Sequence, residues 1–213
     1  LPENIARELA ESRLDPSAAN RVVHGTCLAT DMAGFSTLAE KLPPGELAAV
    51  LNDYFEMLAA PLRRHDVDVT EFRADAIMCA WTAAEPNRTT RAKAVLAALE
   101  AVDAIAQFKE RHKLPSANLR IGLECGTFYV GHAGGGGHFV FSIVGDCANT
   151  ASRIEGLNKH LGTQLLATES VVDGLDDLLV RSLGRFQFVG KSEALPIVEL
   201  VAARSAATAQ QIA

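Results

Sequence analysis

The chain has 213 residues, enough for one domain with a full hydrophobic core and too few for two independent ones. Hydrophobic residues make up 48% and charged residues 22%, the balance of a folded protein rather than a disordered one. Lys and Arg total 20 against 26 Asp and Glu, and the net charge of −6 excludes a surface built to neutralise a long nucleic acid.

Residues 1–19 place Ile5, Leu9 and Leu14 among charges and read as a helix or linker from an upstream region. The start at Leu1, without a basic leader, reads as an excised segment. RVVHGTCLATD (21–31) is apolar and β-branched, a strand that stops where Gly34 and Ser36 can open a helix. From Gly45, after Pro43 and Pro44, apolar residues recur at steps of three and four through Leu62, predicting a long amphipathic helix. VDVTEFRADAIMCAW (67–81) reads as two strands reversing near Ala74 and Asp75, with Val67, Val69 and Glu71 on one face. Val95, Leu99, Val102 and Ala106 then mark a second helix. Strands follow over 119–131 and 138–145, joined by the glycine run GHAGGGGH, and a helix is predicted from Asp146 to about Leu161. Three short strands are expected near 164, 185 and 197, and the tail from 204 to 213 is polar and reads as frayed.

Strand, helix, two strands, helix and two strands predict an α+β fold with a ferredoxin-like βαββαβ core plus extra strands and helices. With helices on one face, the other face of the sheet needs cover, a first sign of a dimer. The four cysteines, Cys27, Cys79, Cys125 and Cys147, form no CxxC pair and suggest buried thiols in a reducing, cytoplasmic setting. The most apolar stretches, 95–106 and 195–203, carry Glu100, Asp103 and Glu199 and fall short of the roughly 20 residues of a membrane span.

Asp31 and Asp75 end strands that the fold can bring together. As a pair they fit either turn-forming caps or a metal site. The small residues of MAGFS after Asp31 favour the second, because backbone N–H groups at a helix start can face an anion beside the carboxylates, the setting of a magnesium-bound phosphate. In the helix GDCANTASRIEGLNKHLG, Asn149 and Arg153 share a face opposite Ala151, Ile154 and Leu157. Spacing alone leaves that face as either a solvated stripe or part of a site.

The segments DMAGFSTLAEKL, FRADAIMCAW, LRIGLECGTFYVGHAG and FSIVGDCANTASRIEGLNK, in this order, resemble the class III nucleotidyl cyclase catalytic domain, the adenylate and guanylate cyclase family, over residues 20–203. The resemblance implies an enzyme, a phosphorus–oxygen lyase that turns a purine nucleoside triphosphate into its 3′,5′-cyclic monophosphate and pyrophosphate. By the same resemblance Asp31, Asp75 and the Met32 backbone hold two Mg²⁺ or Mn²⁺ ions. Gly34, Phe35 and Ser36 cradle the triphosphate, and Arg120 and Lys191 clamp phosphates. Asn149 positions the ribose, and Arg153 stabilises charge at the α-phosphate. The family forms its site between two subunits, so a homodimer with shared sites is implied, along with an upstream sensory or membrane region and a cytoplasmic catalytic domain. The glycine run is no P-loop, lacking a following GK[ST], and reads as a hairpin tip on an arm toward the partner.

Glu71 stands where the family's guanylate cyclases place a glutamate and its adenylate cyclases a lysine, and Ser142 stands at the second base-reading position. A carboxylate suits the two donors on guanine's edge, which puts GTP slightly ahead of ATP. Against this stands a structural salt bridge between Glu71 and Arg73. Ala74 replaces the glycine that usually precedes the second aspartate, and a methyl there strains the turn if it needs positive φ. A cyclase-like dimerisation and regulatory module without catalysis is the reading from a different class. The chain keeps both aspartates and the Asn149–Arg153 pair, which disfavours it.

Overall fold

The β-branched run that opens the domain forms the central strand β1 (Arg21–Ala33) of the computed structural model, which describes residues 20–135 and 138–208. It is followed by α1 (Phe35–Lys41), α2 (Pro44–Arg64), β2 (Val69–Arg73), β3 (Ala76–Ala83) and α3 (Arg88–His112). Next come β4 (Asn118–Gly135), β5 (His138–Val144), α4 (Asp146–Leu161), β6 (Leu165–Thr168), α5 (Glu169–Val172), β7 (Leu178–Phe186) and β8 (Leu195–Ala203). This is the predicted order with α5 added, a single turn too short to carry periodicity.

The sheet runs β2-β3-β1-β4-β6-β8-β7, and β5 pairs with the distal half of β4. Its first four strands are antiparallel neighbours in the ferredoxin-like order. β6 joins β4 in parallel, and β8 and β7 extend the sheet antiparallel.

Strand alternation divides the core. Leu28, Met32, Ile77 and Trp81 face Tyr54, Leu58 and Leu62 of α2 and the alanine-rich side of α3. Cys27, Ala29, Met78 and Phe128 face the other way, against Cys147, Ala148 and Ala151 of α4. The expected one-sided helix layer is therefore corrected: α4 covers part of the second face. It can do so because its inner side is small and because Gly122 of β4 lies directly beneath it. A Cβ on Gly122 would fall 2.2 Å from the Ala151 carbonyl oxygen and 2.3 Å from the Glu155 nitrogen. Further along, buried Asn158 donates from Nδ2 to the Ile121 carbonyl at 2.9 Å and pins the helix to the same strand.

The β2–β3 hairpin closes at the Arg73–Ala76 pair and turns through Ala74, whose φ of 52° lies in the left-handed region. The strain anticipated for a methyl at this reversal is present. At the end of the domain, Arg204–Ala206 form a 3₁₀ turn in which the Arg204 N–H donates to the Asp177 carbonyl at 2.8 Å, so order runs past the boundary expected at residue 204. Residues 1–19 and 209–213, and Gly136 and Gly137 of the expected hairpin tip, lie outside the described residues. No helix among the described residues is long and apolar enough to cross a membrane.

Two substitutions test these constraints. Gly122→Ala should lower the unfolding free energy by about 3 kcal/mol, because the new methyl meets backbone that cannot step aside. Ala74→Gly should raise it by up to about 1 kcal/mol by relieving the left-handed alanine. Urea midpoints at constant m-value measure both.

Candidate active site

Asp31 and Arg120 are cross-strand partners on β1 and β4, their side chains lie on the α4 face, and they form an ion pair. The β2–β3 hairpin brings Asp75 to the same place. Burial lifts the Asp75 pKa above the usual carboxylate range, and the charge and hydrogen bond of Asp31 add to the rise, while the Met32 backbone N–H opposes it. Asp31, Asp75 and the Met32 backbone thus converge. Immediately downstream Gly34, at a φ of 90°, starts α1, and Phe35 and Ser36 form its first turn with amide groups that have no partner inside the helix.

Two residues at this cluster carry roles that the sequence did not suggest. Glu155, only 15% exposed, holds Oε1 3.2 Å from Arg120 Nε, and neither atom has a hydrogen-bond partner. Its pKa is pushed up to about 7, first by burial and then by the Asp31 charge, with Arg120 opposing and Asp75 adding. The signal was available: Ala151, Ile154, Glu155 and Asn158 form the inward stripe of α4, and a carboxylate on such a stripe needs a partner. Tyr54 reaches the carboxylates from the opposite face. It is fully buried, its Oη has no hydrogen-bond partner, and its pKa is raised by burial and then by the charges of Asp31 and Asp75.

Three carboxylates around one guanidinium leave an excess of negative charge and hard oxygen donors, which fits Mg²⁺ or Mn²⁺. Among the described residues no three or more His, Cys, Asp or Glu side chains form a metal cage. Asp31 and Asp75 would therefore share an ion with water and phosphate oxygens, the habit of Mg²⁺ at phosphate sites. A bound cation would also have to loosen the Arg120 pair from Asp31.

The other predicted residues sit elsewhere on the domain. Asn149 is exposed, and Arg153 is half-buried with its guanidinium against Gly190 in the β7–β8 connection, where a Cβ would stand 3.4 Å from Nη2. Lys191 in the same connection donates to the Asp146 carboxylate at the start of α4. Glu155 and Arg153 are two positions apart, about 200° around the helix, so α4 offers Glu155 to its own aspartates and turns Arg153 away. At the far side of the cluster Glu71 of β2 receives bonds from Arg73 and from Ser142 of β5. Burial works to raise the Glu71 pKa, but the Arg73 and Ser142 hydrogen bonds and the Arg73 charge outweigh it and hold the carboxyl below its ordinary value.

The profile of the adenylate and guanylate cyclase catalytic domain matches residues 18–196. The chain belongs to that family. Adenylate cyclase 1 of Rhizobium meliloti is 34% identical over 182 residues, which cover 83% of this chain and 27% of that protein. The receptor-type guanylate cyclase gcy-7 of Caenorhabditis elegans is 29% identical over 184 residues, covering 83% of this chain and 16% of that protein. This cyclase domain therefore spans a small part of both relatives. The crystal structure of the adenylyl cyclase CyaB from P. aeruginosa superposes with a TM-score of 0.77 at 19% identity, covering 87% of this chain and 97% of that one, and shows the same fold. Phosphorus–oxygen lyase chemistry is the activity of this family.

Glu155 provides a test in the metal-free domain. Its ordinary value of 4.5 is raised to about 7 in the fold, so its ionisation opposes folding. That cost is absent below about pH 4.5, grows as pH rises, and is complete above about pH 7. In EDTA, Glu155→Gln should reduce the fall in melting temperature over this window relative to wild type, the difference between the two proteins isolating Glu155 from the other carboxyls.

Proposed function

We propose that this cyclase domain works as a homodimer that converts a purine nucleoside triphosphate, GTP ahead of ATP, into the 3′,5′-cyclic monophosphate and pyrophosphate at two shared sites. The observation that carries the reading is the division of α4. Asn149 and Arg153 point away from the aspartates of their own chain, and a second copy related by a two-fold axis can place them over its partner's Asp31 and Asp75.

In this arrangement Asn149 of one protomer orients the ribose so that its 3′-oxygen lies in line with the α-phosphorus. The new bond forms from that oxygen to phosphorus, the bond from the α-phosphorus to the bridging oxygen breaks, the pyrophosphate departs, and the 3′ proton passes to solvent. Arg153 stabilises the charge that grows on the α-phosphate oxygens. Two Mg²⁺ or Mn²⁺ ions held by Asp31, Asp75 and the Met32 backbone would supply Lewis acidity toward the 3′-hydroxyl and the leaving group. Arg120 and Lys191 bind the phosphates, having exchanged Asp31 and Asp146 for them, and the amide groups around Gly34, Phe35 and Ser36 receive the triphosphate. Glu71, with Ser142, reads the base, and its carboxylate supports GTP. ATP is the second reading, supported by the R. meliloti relative, an adenylate cyclase. The relatives are much longer than the matched domain, and in this reading the full-length protein carries an upstream sensory or membrane region with the catalytic domain in the cytoplasm.

Purified protein with Mn²⁺ and either purine triphosphate should yield cyclic nucleotide, with Asp31→Asn and Arg153→Ala each lowering turnover by about a hundredfold or more. Mixing those two inactive variants should restore roughly a quarter of wild-type activity, because half the dimers are mixed and each mixed dimer has one intact site. A mixture as inactive as its components overturns the shared site, and no cyclic product from the wild type overturns the cyclase reading.

A further inference from the structure

Glu71 already holds three donors in the fold. Arg73 donates from Nε to Oε1 at 2.8 Å and from Nη2 to Oε2 at 3.1 Å, and Ser142 Oγ donates to Oε2 at 2.9 Å. A carboxylate has about four acceptor sites, so at most one is left open, and the N1–H and 2-amino group of guanine can both bind only where an existing donor leaves. Ser142 is buried, whereas the Arg73 side chain is 53% exposed on the edge strand β2. Arg73 is the donor able to yield.

We propose that Arg73 is a specificity-determining residue, which shields Glu71 from guanine and sets a donor beside its acceptors, so that the pocket accepts adenine nearly as well as guanine. The proposal rests on the cyclase reading of this site. Adenine presents an acceptor at N1 next to the donor of its amine, and the Arg73–Glu71 pair offers the complementary donor and acceptor. A lone carboxylate offers acceptors only. It pairs with the two adjacent donors of guanine and faces the N1 lone pair of adenine without a proton between them. The guanidinium therefore acts on selection through Glu71, by competing for the carboxylate and by supplying what adenine needs. Its planar fork, which engages both carboxylate oxygens at once, is suited to this masking as a single ammonium is not.

The test compares wild type, Arg73→Leu, and Arg73→Leu combined with Glu71→Gln, with Arg73→Gln as the alternative should leucine in the hairpin prevent folding. Two ratios are read: kcat/KM for GTP over ATP with Mn²⁺, and the affinity of 3′-deoxy-GTP over 3′-deoxy-ATP, analogues without the attacking hydroxyl. Loss of Arg73 should raise both ratios toward guanine by about tenfold, and the added Glu71→Gln should abolish the gain. An unchanged or lower ratio in the single variant, or a gain that survives Glu71→Gln, overturns the proposal. Failure of the cyclase reading looks different: neither triphosphate is cyclised by any variant, and the deoxynucleotide affinities still decide the role of Arg73. If neither analogue binds, both readings fall.

Discussion

The backbone contact between α4 and β4 at Gly122 governs the rest of the molecule. A helix separated from a sheet by ordinary side chains sits about 10 Å away, but here the Ala151 carbonyl and the Glu155 amide come within reach of the glycine Cα. That approach delivers Glu155 to Arg120, two residues from Gly122 on the same face of β4. It also fixes the rotation of α4, since one side of the helix must be alanine and asparagine against the strand. The opposite side is then turned away from the strand, and it holds exposed Asn149 and half-buried Arg153, whose guanidinium lies against Gly190. One missing methyl group thus decides both what the helix gives its own aspartates and what it presents outward.

The carboxylate cluster follows from the same geometry. Asp31, Asp75 and Glu155 surround Arg120, and the protein tolerates them by raising the pKa of Asp75 and Glu155 instead of supplying more cations. Arg120 satisfies Asp31 and leaves Glu155 in range without a hydrogen bond. Such a site is frustrated without a ligand: it holds too much negative charge, and its one guanidinium stands where a cation would need the carboxylate. On the proposed reading a metal–triphosphate complex would resolve both conditions, because the cation would take Asp31 and the phosphates would offer Arg120 a new partner. Tyr54, whose buried hydroxyl lacks a partner beneath the same carboxylates, belongs to this unsettled state as well.

Much of the architecture was legible from pattern. The period of α2 from Pro44, the strand β1 ending just past Asp31, and α4 from Asp146 to Leu161 all carried clear signals of hydrophobic spacing and helix starts. The reversal at Ala74 was visible too, together with its strain. What pattern could not supply was which face α4 would cover, since that depends on the Gly122 contact between segments some 30 residues apart in sequence. Glu155 was missed for a related reason. Its position in the inward stripe was readable, but its partner Arg120 comes from another strand, and only the fold brings the two within 3.2 Å. Arg73 was visible beside Glu71, yet its bidentate grip appears only once β2 is extended and both side chains lie on one face.

Net charge bears on the site in a way that the residue count conceals. A total of −6 argues against a polyanion spread over the surface, yet the proposed substrate is a compact polyanion. The basic groups proposed to bind it, Arg120, Arg153 and Lys191, are few, and two of them are already paired with Asp31 and Asp146. Electrostatic attraction to free nucleotide is therefore weak by construction. On the proposed reading the divalent cation would bring most of the positive charge, with carboxylates of the protein to hold it and guanidinium groups that would change partners once it arrives. An acidic domain and an anionic substrate are compatible on this reading because a bound cation would make the cleft locally positive.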